Sequence, residues 1–301
     1  MDPTRTALRV VGDGSPERLA LPADRRRTST VGRQARLELV FERRRGRTVL
    51  VHSYAEPPLR AARTFDLDGA AYVILVCAGP GIFGGDRLTA SVHVGRGARV
   101  VLASQAALQA HPASATDVPA VLRHAYVVED AGELHCHWDP LIPFAGARVD
   151  QRFDLQIASS GCLYWSDAVL AGRVSRGEAW QFTSLAHELS VRIGARTAYL
   201  ERYAIAPRGR AVERTWIGGG CTHFATIVTA HPEATRETVE RLHAHLSAVP
   251  DVVAGADLVE PSLAVARFMA SNGASFGTVR ASYREWTLAS IFQHPELRGR
   301  K

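Results

Sequence analysis

Lysine is almost missing from this chain. Among 301 residues only the last, Lys301, is a lysine, although lysine and arginine together number 36 against 30 acidic side chains and the formal charge is +6. Nearly all of that positive charge is therefore arginine. An internal Schiff base, a phosphate-loop lysine and a tuned amine base are excluded, because each needs a lysine inside the fold. Cysteine is scarce too. Cys77, Cys136, Cys162 and Cys221 lie far apart and form no CxxC, so they read as reduced thiols of a cytoplasmic protein. Long apolar runs are also lacking. The longest, Ala70–Ala78, is too short to cross a bilayer, and the opening "MDPTRTALRVVGDGSPERLALPADRRR" has no apolar stretch of the kind a secretory signal requires. The arginines are dispersed apart from Arg25–Arg27 and Arg43–Arg45, with no interleaved aromatics. That argues against a nucleic-acid partner and leaves a solvated surface or attraction to acidic proteins.

What is present is a globular composition, 46% hydrophobic and 22% charged, enough for a sizeable core. Residues 1–30, rich in Pro, Gly, Arg and Asp, read as a flexible N-terminal arm, and residues 31–301 as one β-rich domain. In 31–230 short alternating runs dominate. "RLELVF" and "RTVLVHSY", separated by "ERRRGR", predict a hairpin. "RLTASVHV" places Leu88, Ala90, Val92 and Val94 on one face, the period of a strand. Further runs come at fairly even spacing, separated by turns such as "GRGA", "EDAGE" and "SSG", without a tight repeat. This predicts a mainly β fold of stacked antiparallel sheets, sandwich-like or β-helix-like. Helical patterning appears only in 231–301. Val239, Leu242, Leu246 and Val249 share one stripe between Pro232 and Pro250, and Val279, Tyr283 and Trp286 share another, so two C-terminal helices are expected.

Residues 77–88, "CAGPGIFGGDRL", contain Gly79-x-Gly81-x-x-Gly84. A dinucleotide site would need a helix after the glycines and an acidic residue about 20 positions on. A strand pattern comes instead, and Pro80 removes a backbone donor. Gly81, Gly84 and Gly85 are therefore read as a structural loop that holds Asp86 on a stiff turn. His135, His137 and Asp139 alternate. On a strand they would face one way, as metal ligands or as a solvated polar face. Cys221 and His223 could form a second ligand pair or sit in a Gly-rich bend. His111, His124 and His187 are isolated and read as ordinary histidines. Asp167 and Glu178 could pair with Arg173 and Arg176. No nucleophile elbow, HExxH or phosphate loop occurs.

The glycine loop and the strand runs after it, "GPGIFGGDRLTASVHVGRGARVVLASQAA", resemble the urease accessory protein UreD (UreH) family. "ELHCHWDPLIPFAGARVDQRFDLQIA", "LYWSDAVLAGRVSRGEAWQF" and "AYLERYAI" continue the likeness in order across residues 33–205, with a looser fit at "VARFMASN". The resemblance implies a mainly β protein with two helices that is not an enzyme. It would help place nickel in urease, acting with UreF and the GTPase UreG on apo-urease, and nickel would be transported rather than held as a catalytic cofactor. It implies an internal water-filled tunnel whose acidic residues correspond here to Asp86, Asp167 and Glu201, with Glu178 in a neighbouring motif. Two basic positions of the family read Gln109 and Pro112 here, and an acid expected near "F-GA" falls at Pro140, beside Asp139. Two alternatives stand beside this reading: a metal-dependent hydrolase using His135, His137 and Asp139, and a docking scaffold that never touches nickel.

Overall fold

The computed structural model describes residues 32–112, 117–209, 212 and 218–297. The expected N-terminal arm lies outside the described residues. Two β-sheets face each other across the main core. The first sheet runs, in spatial order, Arg196–Ile205, Ser184–Ile193, Arg148–Ile157, Ala120–Val128, Arg87–Val94, Gln34–Arg44 and Arg47–Ala55. The second runs Val252–Glu260, Leu263–Ala270, His223–Ala230, Cys162–Leu170, Glu133–His137, Arg99–Ser104, Ala70–Cys77 and Leu59–Ala61, with four short strands attached.

The predicted hairpin forms between Gln34–Arg44 and Arg47–Ala55. Its turn uses Arg45 and Gly46, both at positive φ, as a two-residue hairpin requires. The β class, the stacking and the two helices match expectation, but the strand direction needs correction. Pairing is antiparallel only toward the margins of the sheets. In the first sheet Gln34–Arg44, Arg87–Val94, Ala120–Val128, Arg148–Ile157 and Ser184–Ile193 are successively parallel. In the second, Ala70–Cys77, Arg99–Ser104, Glu133–His137 and Cys162–Leu170 are parallel as well.

The cause is a coiled chain path. Arg87–Val94 in one sheet turns directly into Arg99–Ser104 in the other, and Ala120–Val128 into Glu133–His137, and Arg148–Ile157 into Cys162–Leu170. Each coil lays its strands beside those of the previous coil in the same direction, which is the β-helix geometry. Arg87 pairs with Val121, Ala120 with Val149, and Arg148 with Ser184, so successive coils differ in length. That inequality removes the fixed period a sequence repeat would show.

Strands of the first sheet alternate buried and exposed, as in Arg148–Ile157, because only one of their faces meets the core. Cys162–Leu170 is buried nearly throughout, because the second sheet is covered on both sides. Its inner face joins Leu39, Phe41, Val92, Tyr126, Phe153 and Trp165. Its outer face carries the helices α1 (Arg236–Ser247) and α2 (Gly273–Ser290), packed through Leu242, Leu246, Phe276, Val279 and Tyr283. The Thr235 hydroxyl caps α1 by accepting from Thr238 N, and the Asn272 side chain caps α2 by accepting from Ser275 N at 2.9 Å. Pro232 lies four residues before the start of α1 at Arg236. The hairpin Val252–Glu260 and Leu263–Ala270 between the helices was not anticipated. It extends the second sheet, so residues 231–297 contribute two strands besides the two expected helices.

Candidate functional site

Two residues from opposite sheets meet inside the sandwich. Asp167 projects from Cys162–Leu170 and Glu201 from Arg196–Ile205, each 7% exposed. Both line a cavity of about 600 Å³ whose walls include Trp180, Phe182, Tyr203 and Thr226. Asp167 and Ala168 also border a second cavity of about 380 Å³, whose other wall is formed by Gly79, Pro80, Gly81, Gln109 and Asp139. Asp167 thus stands where the two spaces adjoin.

Glu201 is heavily engaged. Its carboxylate accepts from the Tyr199 hydroxyl at 2.6 Å, from the Thr226 hydroxyl at 3.1 Å and from Arg267 Nε at 3.0 Å. The second guanidinium nitrogen of Arg267 approaches to 2.7 Å. His187 Nε2 lies 3.8 Å from Glu201 Oε1. Gln151 Nε2 donates to His187 Nδ1 at 2.7 Å, which leaves the ring hydrogen on Nε2, turned toward Glu201. Burial pushes His187 down to about 4, so the ring is neutral at physiological pH. Asp167 moves the other way. Burial and then the nearby Glu201 charge raise it to about 8, with Arg280 opposing. A protonated Asp167 therefore faces the arginine-paired Glu201 at neutral pH. Tyr203, stacked on His187 at 4.7 Å, is raised by burial and then by Asp167.

Asp86 does not join this pair. It is buried and outside the lining of both cavities. Its two oxygens accept from the backbone N–H groups of Arg33 at 2.7 Å and Phe83 at 2.9 Å. The carboxylate therefore closes the glycine loop and ties it to the start of the first strand. Gly81 has φ of +126°, and a Cβ there would lie 2.1 Å from the Gln109 carbonyl oxygen, so only glycine fits. Gly84 and Gly85 complete the loop, Gly85 at φ +90°, and the strand Arg87–Val94 comes next, as the non-nucleotide reading requires. Glu178 pairs with Arg173 through Oε1 and, at 2.7 Å, through Oε2. That bond holds its carboxyl below the usual range, and Arg173 lies over the Phe144 ring.

The expected alternation of His135, His137 and Asp139 fails at its last member. The strand ends at His137. His135 is fully buried, with Nε2 2.7 Å from Glu133 Oε1, and rings of His137, Tyr164 and Phe292 surround it. Asp139 instead accepts from the Ser104 hydroxyl at 2.9 Å on the wall of the smaller cavity. Among the described residues no three His, Cys, Asp or Glu side chains come together as a metal-holding group. The trio is therefore not one metal site, and the hydrolase reading loses its centre. Cys221 and His223 are buried, with His223 Nδ1 bonded to the Thr222 hydroxyl at 2.9 Å and its ring against Phe276. His187, ordinary by its sequence setting, belongs to the charged cluster. Gln151, Tyr199, Thr226 and Arg267 belong to it too, and no spacing rule links residues so far apart.

Fold and site define a coiled β-protein with a largely apolar cavity into which two buried carboxyl groups project. A sequence model of the UreD urease accessory protein family matches residues 33–300, and the chain belongs to that family. The urease accessory protein UreD of Sorangium cellulosum is 35% identical over 200 residues, covering 65% of this chain and 62% of the relative. The UreD of Halalkalibacterium halodurans is 31% identical over 213 residues, covering 67% and 78%. The matched region spans only 54% of the Trichodesmium erythraeum relative, at 33% identity. No helix among the described residues is long and apolar enough to cross a membrane.

Proposed function

We propose that the protein serves urease maturation as a transit stage for nickel(II), passing the ion between the sheets while bound to UreF and UreG on apo-urease in the cytoplasm. The observation that carries this reading is that Asp167 and Glu201, from opposite sheets, line one cavity that adjoins a second. Nickel(II) accepts carboxylate, imidazole and hydroxyl donors. Two carboxylates with the Thr226 hydroxyl beside them provide such donors without a closed cage, and His187, its ring hydrogen on Nε2, stands by as a hydrogen-bond donor rather than a ligand. Binding strong enough to repay desolvation but short of a full ligand set favours release. Asp167 would give up its proton as the dication arrives, because a nearby cation lowers a carboxyl group. Asp86 and Glu178 support the passage indirectly, one through the glycine loop and the other through its arginine pair.

The test is co-expression with urease and its accessory partners, comparing wild type with Asp167→Asn plus Glu201→Gln. The expected result is apo-urease low in nickel and activity, although the variant still co-purifies with its partners. Normal nickel content in urease from the double variant refutes the transit reading and leaves a docking scaffold.

A further inference from the structure

Glu201 is not an open ligand. Three donors already occupy it, and one of them is a cation. Arg267 projects from Leu263–Ala270, where it is the direct cross-strand partner of Thr226, and so reaches the same carboxylate from beside that hydroxyl. The pair is lopsided. Glu201 is 7% exposed, whereas the Arg267 side chain is 58% exposed. The guanidinium can swing into water with little loss of solvation, while the carboxylate cannot follow. Without a cation, Glu201 would be a buried charge facing another carboxyl group, a costly arrangement.

We propose that Arg267 is a tethered counter-ion that holds Glu201 until a divalent cation displaces it. This rests on the transit reading of the cavity. The arginine pairs with the carboxylate and holds it aimed while no cargo is present. A singly charged ion offers the carboxylate no more than the guanidinium already does. A doubly charged ion does, because its Coulomb attraction is twice as large at equal distance. Displacement leaves the largely exposed Arg267 beside the bound ion, repelling it and favouring release. Tyr199 takes part, since Arg267 also donates to its hydroxyl at 2.6 Å, giving the guanidinium a second anchor. Arg267 is thus a positioning and selectivity residue, not a ligand.

Nickel(II) titration of the full chain by calorimetry at neutral pH tests this. Arg267→Gln should bind nickel about tenfold tighter than wild type, since removing one adjacent positive charge relieves direct competition. Arg267→Lys, which keeps the charge, should stay within about threefold of wild type. Adding Glu201→Gln to Arg267→Gln should abolish the gain, which assigns the effect to this pair. Arg267→Met serves with the same expectation should the Gln variant fold poorly. Affinity in both neutral variants equal to or below wild type overturns the proposal, as does a gain that survives loss of Glu201. Asp167→Asn reports on the transit reading separately: it should weaken nickel binding, and unchanged affinity there sinks that reading whatever Arg267 does.

Discussion

Replacing Asp167 by Asn should make the protein more stable, and increasingly so as pH rises. The wild-type carboxyl titrates near 8 in the fold against 3.8 when unconstrained, because burial and Glu201 disfavour its charge. Between those values the folded chain keeps a proton that the unfolded chain has lost. The unfolded state then binds fewer protons, so stability falls with rising pH, by about 1.4 kcal/mol per unit for one group. Below about pH 4 both states are protonated and the group contributes no slope. Asparagine copies the shape of the protonated acid and does not titrate. The stability difference between variant and wild type should therefore open from near zero below pH 4 to about 5 kcal/mol at pH 8, most of the full span. Urea unfolding followed by tryptophan fluorescence at half-unit pH steps reads this directly. Parallel pH–stability curves for the two proteins would refute the reasoning, since they would mean that Asp167 is ionised in the folded state.

The remaining expectations probe the glycine loop and a buried carboxylate–histidine cluster. Asp86→Ala removes the acceptor for two backbone N–H groups and should lower stability by about 2–4 kcal/mol in denaturant unfolding, with nickel affinity of the folded protein unchanged. Gly81→Ala should cost about 2 kcal/mol or more, because the new Cβ meets a carbonyl at a positive φ; a thermal melt at wild-type temperature contradicts the close approach. His294→Ala should destabilise by about 1–2 kcal/mol near pH 5–6. The Glu133 carboxyl is depressed, with hydrogen bonds from His135 and His294 outweighing its burial, so its contribution is present above its unfolded value. His294 is raised chiefly by Glu133, so its contribution is lost as pH rises through its folded value, and unfolding at pH 9 should separate the proteins less.

The β class was readable because alternation survives wherever one face of a strand meets water, as in Arg87–Val94 and Arg148–Ile157. Pairing direction was not, because alternation is the same for parallel and antiparallel neighbours, and unequal coils hid the periodicity that would have betrayed them. The hairpin Val252–Glu260 and Leu263–Ala270 was missed since helices flank it on both sides. Of the site, Asp167 and Glu201 emerged through family motifs, whereas Arg267, Thr226 and His187 reach Glu201 from three other strands. Only three-dimensional proximity joins them. The His135–His137–Asp139 reading failed for a local reason: the strand stops two residues before the aspartate, and the backbone turns it toward Ser104.

The coiled path carries a consequence for how such a chain tolerates change. In the parallel part of each sheet a turn of the coil is hydrogen-bonded only to the turns on either side. An insertion in one outer connection is absorbed there, and the strands beyond it keep their register. The outline of the molecule can swell or shrink loop by loop while the side chains that line its interior stay in place. A designer could widen a loop for a new partner, or splice in a tag, and leave the packing between the sheets untouched.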